Sequence, residues 1–212
     1  MIYSENILLC IAIPLLLAAF FTRGQTRSFV TALLLGMVTC LLSSYISGYF
    51  TLLGELTPKD SALYISPIVE ELMKSLPLLF CMLVFRPGEL ELSVFGIGLG
   101  IGFATFENCC YLLASGAQSL GYTLVRGLAV GVMHIVCMIA LSLALIMVRR
   151  FRVFTLAGVA GTLSLSVTFH ALYNLMVSVP GITTYVGYTL PLLTAILFYW
   201  PYRKLREPEG KA

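Results

Sequence analysis

Apolar residues fill seven long stretches of the chain, and short polar segments separate them. The stretches cover residues 7–21, 29–53, 62–85, 93–114, 123–148, 154–178 and 183–200. Most of them reach the about 20 residues that an α-helix needs to cross a lipid bilayer. Because the segments between them are brief, consecutive helices should lie antiparallel in a single bundle. The pattern predicts an all-α fold, a polytopic transmembrane helical bundle with about seven spans.

The composition agrees with this interpretation. Of the 212 residues, 59% are hydrophobic and 11% are charged, and the mean hydropathy is +0.96. Such values are typical of an integral membrane protein and exclude an ordinary soluble domain. We therefore expect residues 1–212 to form one integral-membrane domain in contact with the lipid bilayer. The sequence contains no basic block flanked by aromatic residues, so nucleic acid is not expected as a partner.

The basic residues indicate an orientation in the membrane. Ten of the 13 basic residues fall in alternate connecting segments and in the C-terminal tail: Arg23, Arg27, Arg86, Arg149, Arg150, Arg152, Arg203, Lys204, Arg206 and Lys211. Cytoplasmic segments of membrane proteins carry an excess of Lys and Arg. With seven spans, this alternation predicts an N-terminus outside the cytoplasm and a C-terminus inside it.

Several ionisable side chains lie within the apolar stretches. They are Glu70, Glu71, Lys74, Glu107, His134 and His170. An ionisable group near the bilayer centre costs about 2.5–3.5 kcal/mol on insertion scales, so such a group usually serves a function. At about 1.5 Å per helical residue, four of them on four different stretches lie roughly 10–16 Å from the predicted outer ends: Glu70, Glu107, His134 and His170. The sequence therefore predicts one polar layer shared by four helices.

The third stretch contains Glu70-Glu71-Leu-Met-Lys74. Lys74 follows one glutamate by four residues and the other by three, and both spacings allow contact on a helix surface. Lys74 could neutralise one carboxylate and leave the other as a general base, either Glu70 or Glu71. The alternative is a structural ion pair between helices.

The fourth stretch contains Phe103-x-x-x-Glu107-Asn108, with Phe103 and Glu107 on one helix face. Alternate glycines precede this motif: Gly96, Gly98, Gly100 and Gly102. Inside an apolar stretch they predict close packing of helices rather than a dinucleotide-binding loop. Glu107 could accordingly be either a reactive carboxylate or a hydrogen-bonded packing residue.

The fifth and sixth stretches supply two histidines. His170-Ala-Leu-Tyr-Asn174 places an imidazole and a carboxamide on one face, and both could donate hydrogen bonds to a developing oxyanion. Hydrogen bonding between helices is the alternative for this pair. His134 alone is as consistent with a core histidine as with a site residue. Arg126, at the mouth of the fifth stretch, could extend to the membrane interface.

Glutamate and histidine side chains also suit a metal ion. Glu107, His134 and His170 could form a three-ligand zinc site with an open position, which is the pattern of catalytic zinc. A glutamate base assisted by His170 and Asn174 would need no metal. The sequence leaves both a zinc enzyme and a metal-free enzyme open.

Four motifs in this order resemble one family. EExxK, FxxxEN, a histidine after an arginine-containing stretch, and HxxxN on consecutive membrane helices closely resemble the PrsW family of bacterial intramembrane proteases. That family belongs to a larger group with the CAAX prenyl endopeptidases and bacteriocin-processing membrane proteins. The resemblance covers roughly residues 60–180 and implies a peptidase of the bacterial plasma membrane. It also implies a single-span membrane protein as substrate, an anti-sigma factor, cut near its extracytoplasmic side.

The resemblance also implies residue roles. Glu70 corresponds to the water-activating glutamate, and His170 and Asn174 correspond to the oxyanion donors. Lys74 would set the charge of the glutamate pair. Glu107 stands where the CAAX-type enzymes have a histidine, so it could bind a metal, orient water or hold a neighbouring histidine. The supporting residues would be Phe103, Asn108, Arg126 and His134.

A second class of function uses the same side chains. Buried carboxylates serve as relays in proton- or cation-coupled transporters and channels. The sequence shows no inverted repeat, which argues against a transporter. A seven-helix sensor is a third possibility, but the connecting segments are short for a ligand-binding site.

Overall fold

The described part of the chain forms a bundle of seven helices. The structure, a computed structural model, describes residues 4–115, 119–151 and 155–206, and these contain no β-strand. The helices are α1 (Ser4–Phe21), α2 (Gly24–Leu53), α3 (residues 58–85), α4 (Glu89–Ser115), α5 (Leu120–Phe151), α6 (Thr155–Ser178) and α7 (Ile182–Arg206). The predicted all-α polytopic bundle is therefore confirmed. Arg152 and Lys211, which contribute to the charge pattern, lie outside the described residues.

Six of the helices, all except α3, are long and apolar enough to cross a membrane, judged by length and composition. The segment α3 has four parts: Pro58–Asp60, a π-helical turn at Ser61–Ile65, an α-helix at Ser66–Phe80, and a second π-helical turn at Cys81–Phe85. Its α-helix of 15 residues is shorter than the about 20 that a crossing takes. Helical structure is nevertheless continuous from 58 to 85, so the predicted third stretch exists as a segmented helix.

Consecutive helices run antiparallel, so the bundle has two ends. At one end, here called the Pro58 end, α1 and α3 begin, and Asn174 of α6 bonds to the main chain of α3. At the other, here called the Arg86 end, Arg149 of α5 donates to the carbonyl of Pro87 over 2.6 Å. The connections between helices are therefore confined to these two ends.

The helix α4 packs between α2 and α5, and its glycines permit the close approach. A methyl group at Gly102 would overlap the carbonyl of Leu33 on α2. On the other side, a methyl group at Gly100 would lie 3.0 Å from the carbonyl of His134 on α5. The alternate glycines thus face two neighbours in turn, as close packing through small residues requires. This contact brings the polar residues of α4 against those of α5.

We predict that Gly102→Ala destabilises the bundle, because its new methyl group meets a main-chain carbonyl that cannot move aside. Overpacking of this kind costs about 1–3 kcal/mol. Thermal unfolding in detergent should show a lower Tm, by about 2–4 °C for each kcal/mol. The matched control is Gly161→Ala on α6, where nothing lies within 4 Å of the added methyl group. An equal Tm for the two variants would contradict the packing described here.

Candidate active site

Lys74 lies at the centre of the polar cluster and is 0% exposed. Its Nζ lies 2.6 Å from Glu71 Oε1 on the same helix and 2.7 Å from His134 Nδ1 on α5. The ammonium also lies 4.6 Å from the ring centroid of Phe103 on α4, a cation–π contact. Of the two adjacent glutamates, Lys74 therefore pairs with Glu71.

His134 connects this ion pair to Glu107. The Nζ of Lys74 can only donate, so His134 Nδ1 accepts and the network assigns the proton of the ring to Nε2. Nε2 then donates to Glu107 Oε2 over 2.8 Å. The other oxygen of Glu107 accepts from Arg126 Nη2 over 3.2 Å, and the guanidinium lies 3.5 Å from the ring centroid of Tyr111. Arg126 therefore covers Glu107 on its Pro58 side.

His170 on α6 completes the cluster. Its Nδ1 lies 2.9 Å from Glu71 Oε1, so the carboxylate that binds Lys74 also accepts from this imidazole. With its proton on Nδ1, His170 directs the lone pair of Nε2 towards Glu70 Oε2, 3.7 Å away. The two imidazoles meet edge to face, with ring centroids 5.1 Å apart.

Glu70 differs from the other carboxylates of the cluster. Its Oε2 is buried and has no hydrogen-bond partner among the described residues. A buried polar atom without a partner costs about 1–3 kcal/mol, so a water molecule or a ligand group is expected beside it. Glu70 Oε2 and His170 Nε2 thus form the part of the cluster that is open to chemistry.

A cavity of about 660 Å³ reaches this open part. It lies between α2, α3 and α4 and extends from helix ends at the Pro58 end, where Ser4, Leu52 and Pro58 line it, down to Glu70 and Glu107. Glu70 follows Pro58 by 12 residues, which corresponds to a depth of about 18 Å along α3. The cavity therefore gives water and a ligand a route to Glu70.

The cluster also has the spacing of a metal site. Glu70, His134 and His170 each offer a ligand atom, and these atoms lie within 4.8 Å of one another. Tetrahedral bonds of about 2.0–2.1 Å put two ligand atoms about 3.3 Å apart, near the 3.7 Å between His170 Nε2 and Glu70 Oε2. Metal-binding histidines commonly donate their second N–H to a carboxylate, as His170 does to Glu71. Both ring nitrogens of His134 are engaged, one by Lys74 and one by Glu107, so this histidine would have to give up one of these bonds to hold a metal. The residues fit a metal ion.

This trio differs from the predicted one. The sequence predicts Glu107 together with the two histidines, whereas the structure brings Glu70 together with them. Glu107 instead bonds to His134 and Arg126 and acts as a partner of a histidine. Its side chain extends from α4 towards α5, where the glycine contacts hold the two helices together.

Asn174 bonds to the main chain of α3. Its Nδ2 donates to the carbonyl of Ala62 over 2.9 Å. That carbonyl lies in the first π-helical turn. In this turn the N–H of Ser66 donates to the carbonyl of Ser61. The next main-chain nitrogen belongs to Pro67, which has no N–H. Asn174 therefore supplies the donor that proline removes. Its amide nitrogen, the predicted oxyanion donor, is engaged in this bond.

The other predicted supporting residues have separate positions. The ring of Phe103 packs on His134 with centroids 4.7 Å apart, beneath the ammonium of Lys74. Asn108 follows Glu107 directly, and its Oδ1 is buried with no hydrogen-bond partner among the described residues. The hydroxyl groups of α2 that line the cavity are not among the predicted site residues, although their spacing of three and four residues places them on one helix face.

Comparison with known proteins identifies the family of the chain. The family described as "PrsW family intramembrane metalloprotease" matches residues 13–200. No curated protein and no solved structure matches the chain. The matched range contains the whole cluster, from Glu70 on α3 to Asn174 on α6. Since it covers most of the chain, the protein belongs to the PrsW family of intramembrane metalloproteases and is a membrane peptidase.

Proposed function

We propose that the protein is an endopeptidase that cleaves a single-span membrane protein through attack by a water molecule held at Glu70. The observation that carries this proposal is the unpartnered Glu70 Oε2 at the floor of the cavity, facing His170 Nε2. By resemblance to the family, the substrate is an anti-sigma factor. Family membership favours proteolysis over ion transport, the other function considered for these carboxylates.

In this mechanism Glu70 accepts a proton from the attacking water and passes it to the amine of the departing product. Lys74 neutralises Glu71, and Glu71 in turn holds His170 with the lone pair of Nε2 towards the water. A neutral His170 in this tautomer accepts rather than donates at Nε2, so it suits holding water or a metal better than stabilising an oxyanion. His170 therefore has a different proposed role from the one that resemblance suggested.

The metal of the family would be held by Glu70, His134 and His170. Such an ion supplies polarisation of a bound water and of the scissile carbonyl. In either case Glu70 contacts the water, and Glu107 holds the ring of His134 through its bond to Nε2. Asn174 acts as a positioning residue, because it fixes the turn that precedes the glutamate pair.

The proposed location is the plasma membrane of a bacterium, with the Pro58 end outside and the Arg86 end in the cytoplasm. This orientation rests on the ten basic residues and the excess of Lys and Arg on cytoplasmic segments. The cavity would then open on the outer face, and cleavage would occur near the extracytoplasmic side of the substrate.

We predict that Glu70→Gln reduces kcat by about 10²–10⁴-fold or more, because a carboxamide cannot accept the proton. The variant should still insert and bind substrate, since Gln preserves the shape of the side chain. Cleavage of a single-span substrate in proteoliposomes measures this. Glu5→Gln, an exposed change on α1, is the control and should cleave normally. Near-normal cleavage by Glu70→Gln would shift the role of base to Glu71 or Glu107.

Metal content should depend on Glu70 more than on Glu107. Elemental analysis of the purified protein should find metal in the wild type and in Glu107→Ala, but not in Glu70→Ala, because Glu70 is the carboxylate that lies with both histidines. The reverse pattern would restore the trio of Glu107, His134 and His170. Full activity of a wild type that contains no metal after chelation would end the metal assignment.

Asn174→Ala should slow cleavage about ten- to a hundred-fold, the scale on which small misplacements of a site act. If the amide of Asn174 replaces the N–H missing at Pro67, then Pro67→Ala should restore a main-chain donor for the carbonyl of Ala62. The double variant Asn174→Ala, Pro67→Ala should therefore recover part of the activity. Pro67→Ala alone is the control. A direct role in binding the oxyanion would give no recovery in the double variant. The steady-state kcat of the four proteins separates the two roles.

A reporter domain fused after Ala212 tests the proposed orientation. A reporter that works only in the cytoplasm should be active, because the C-terminal tail is basic. The same reporter fused ahead of Met1 should be inactive. Activity of the fusions in the opposite sense would contradict the orientation.

A further inference from the structure

Two facing helices supply hydroxyl-bearing and small residues to the walls of the cavity. From α2 come Ser44, Ser47, Gly48 and Thr51, and from α3 come Ser61, Ala62 and Ser66. The residues of α2 follow one another at intervals of three, one and three positions, which places them on a single helix face. The hydroxyls of Thr51 and Ser61 are hydrogen-bonded to each other, so the two groups form one continuous wall of the cavity. We call the part of the cavity along this wall the hydroxyl slot. It ends at Glu70.

The slot contains a second buried polar atom without a partner. Ser47 is only 7% exposed, and its Oγ has no hydrogen-bond partner among the described residues. Its neighbours on the same face differ from it, because Ser44 donates to Leu41 O over 2.7 Å and Thr51 donates to Ser47 O over 2.6 Å. Ser47 Oγ and Glu70 Oε2 are therefore two unpartnered atoms on residues that line one cavity, and they call for a ligand with polar groups.

The lining restricts the chemistry of that ligand. The charged side chains that line the cavity in the described part of the chain are Glu70 and Glu107, so an anionic ligand is disfavoured. A hydroxyl both donates and accepts hydrogen bonds, which matches the alternating N–H and C=O groups of an extended peptide. In a membrane, an unwound peptide needs such partners, because lipid offers none.

We propose that the hydroxyl slot binds the extended segment of the substrate that flanks the scissile bond. This inference rests on the proposed function and names the site that delivers the peptide to Glu70. The depth of about 18 Å along α3 corresponds to about five extended residues at 3.3–3.6 Å each. The segment should consist of small residues. The free space beside the hydroxyl groups is the space that the small residues Gly48 and Ala62 leave.

Gly48 offers a variant that fills the slot without disturbing the protein. Nothing lies within 4 Å of a methyl group built on Gly48, so Gly48→Leu should project into the cavity. Gly161→Leu is the matched control, because Gly161 on α6 is exposed and also has nothing within 4 Å. Both variants replace a helical glycine by the same side chain and should fold as the wild type does.

The probe is a synthetic single-span peptide in proteoliposomes, with five Gly, Ala and Ser residues on the outer side of its span and one photoreactive residue among them. Gly48→Leu should lower kcat/KM at least about tenfold, mainly through KM, because the slot binds the peptide before the reaction. In Gly48→Leu, the cross-links between the peptide and helices α2 and α3 should disappear. Gly161→Leu should match the wild type in both measurements.

The outcomes separate this inference from the proposed function. Cleavage by Gly48→Leu at the wild-type rate, with cross-links outside α2 and α3, would overturn the slot and leave the peptidase intact. Cross-links within the slot of a wild type that cleaves nothing would support the slot and overturn the proposed function. Absence of cross-links to the peptide because a lipid acyl chain occupies the slot would overturn the proposal that the slot binds the substrate.

Discussion

The site depends on the charge of Lys74, which is fully buried in the bundle on α3. A buried ammonium must have partners, and Lys74 finds them in Glu71 on its own helix and His134 on α5. Each partner recruits another group, because Glu71 accepts from His170 on α6 and His134 donates to Glu107 on α4. Loss of one member of such a buried pair costs about 3–5 kcal/mol. One charge thereby fixes the positions of four helices.

The same network determines which groups remain reactive. Every carboxylate and imidazole that stabilises Lys74 is already engaged, whereas Glu70 Oε2 and His170 Nε2 face each other without a bond between them. Glu70 lies at the floor of the cavity that opens at the Pro58 end. A peptidase needs both features in one place, a rigid charged framework and a carboxylate that water can reach.

Hydropathy and helical geometry predict much of this arrangement. The apolar stretches give the helices, and counting residues from their ends predicts that Glu70, Glu107, His134 and His170 share a layer. The choice between Glu70 and Glu71 as partner of Lys74 is not predictable, because spacings of three and four residues both allow contact. That choice depends on His170 and His134, which approach from other helices.

Local backbone geometry accounts for the remaining differences. The bond from Asn174 to Ala62 depends on a π-helical turn next to Pro67, and hydropathy carries no signal for such a turn. The hydroxyl slot depends on serine and threonine residues, which hydropathy treats as nearly neutral. Their positions along one face of α2 are visible in the sequence, but their function depends on the facing helix α3.

The position of the cut in a substrate tests the central claim most directly, that hydrolysis occurs beside Glu70 and is reached from the Pro58 end. Mass spectrometry of both products from a purified single-span substrate gives that position to the residue. We predict a scissile bond at the extracytoplasmic end of the membrane span or just beyond it. A scissile bond in the cytoplasmic half of the span would contradict both the depth of the site and the orientation of the bundle.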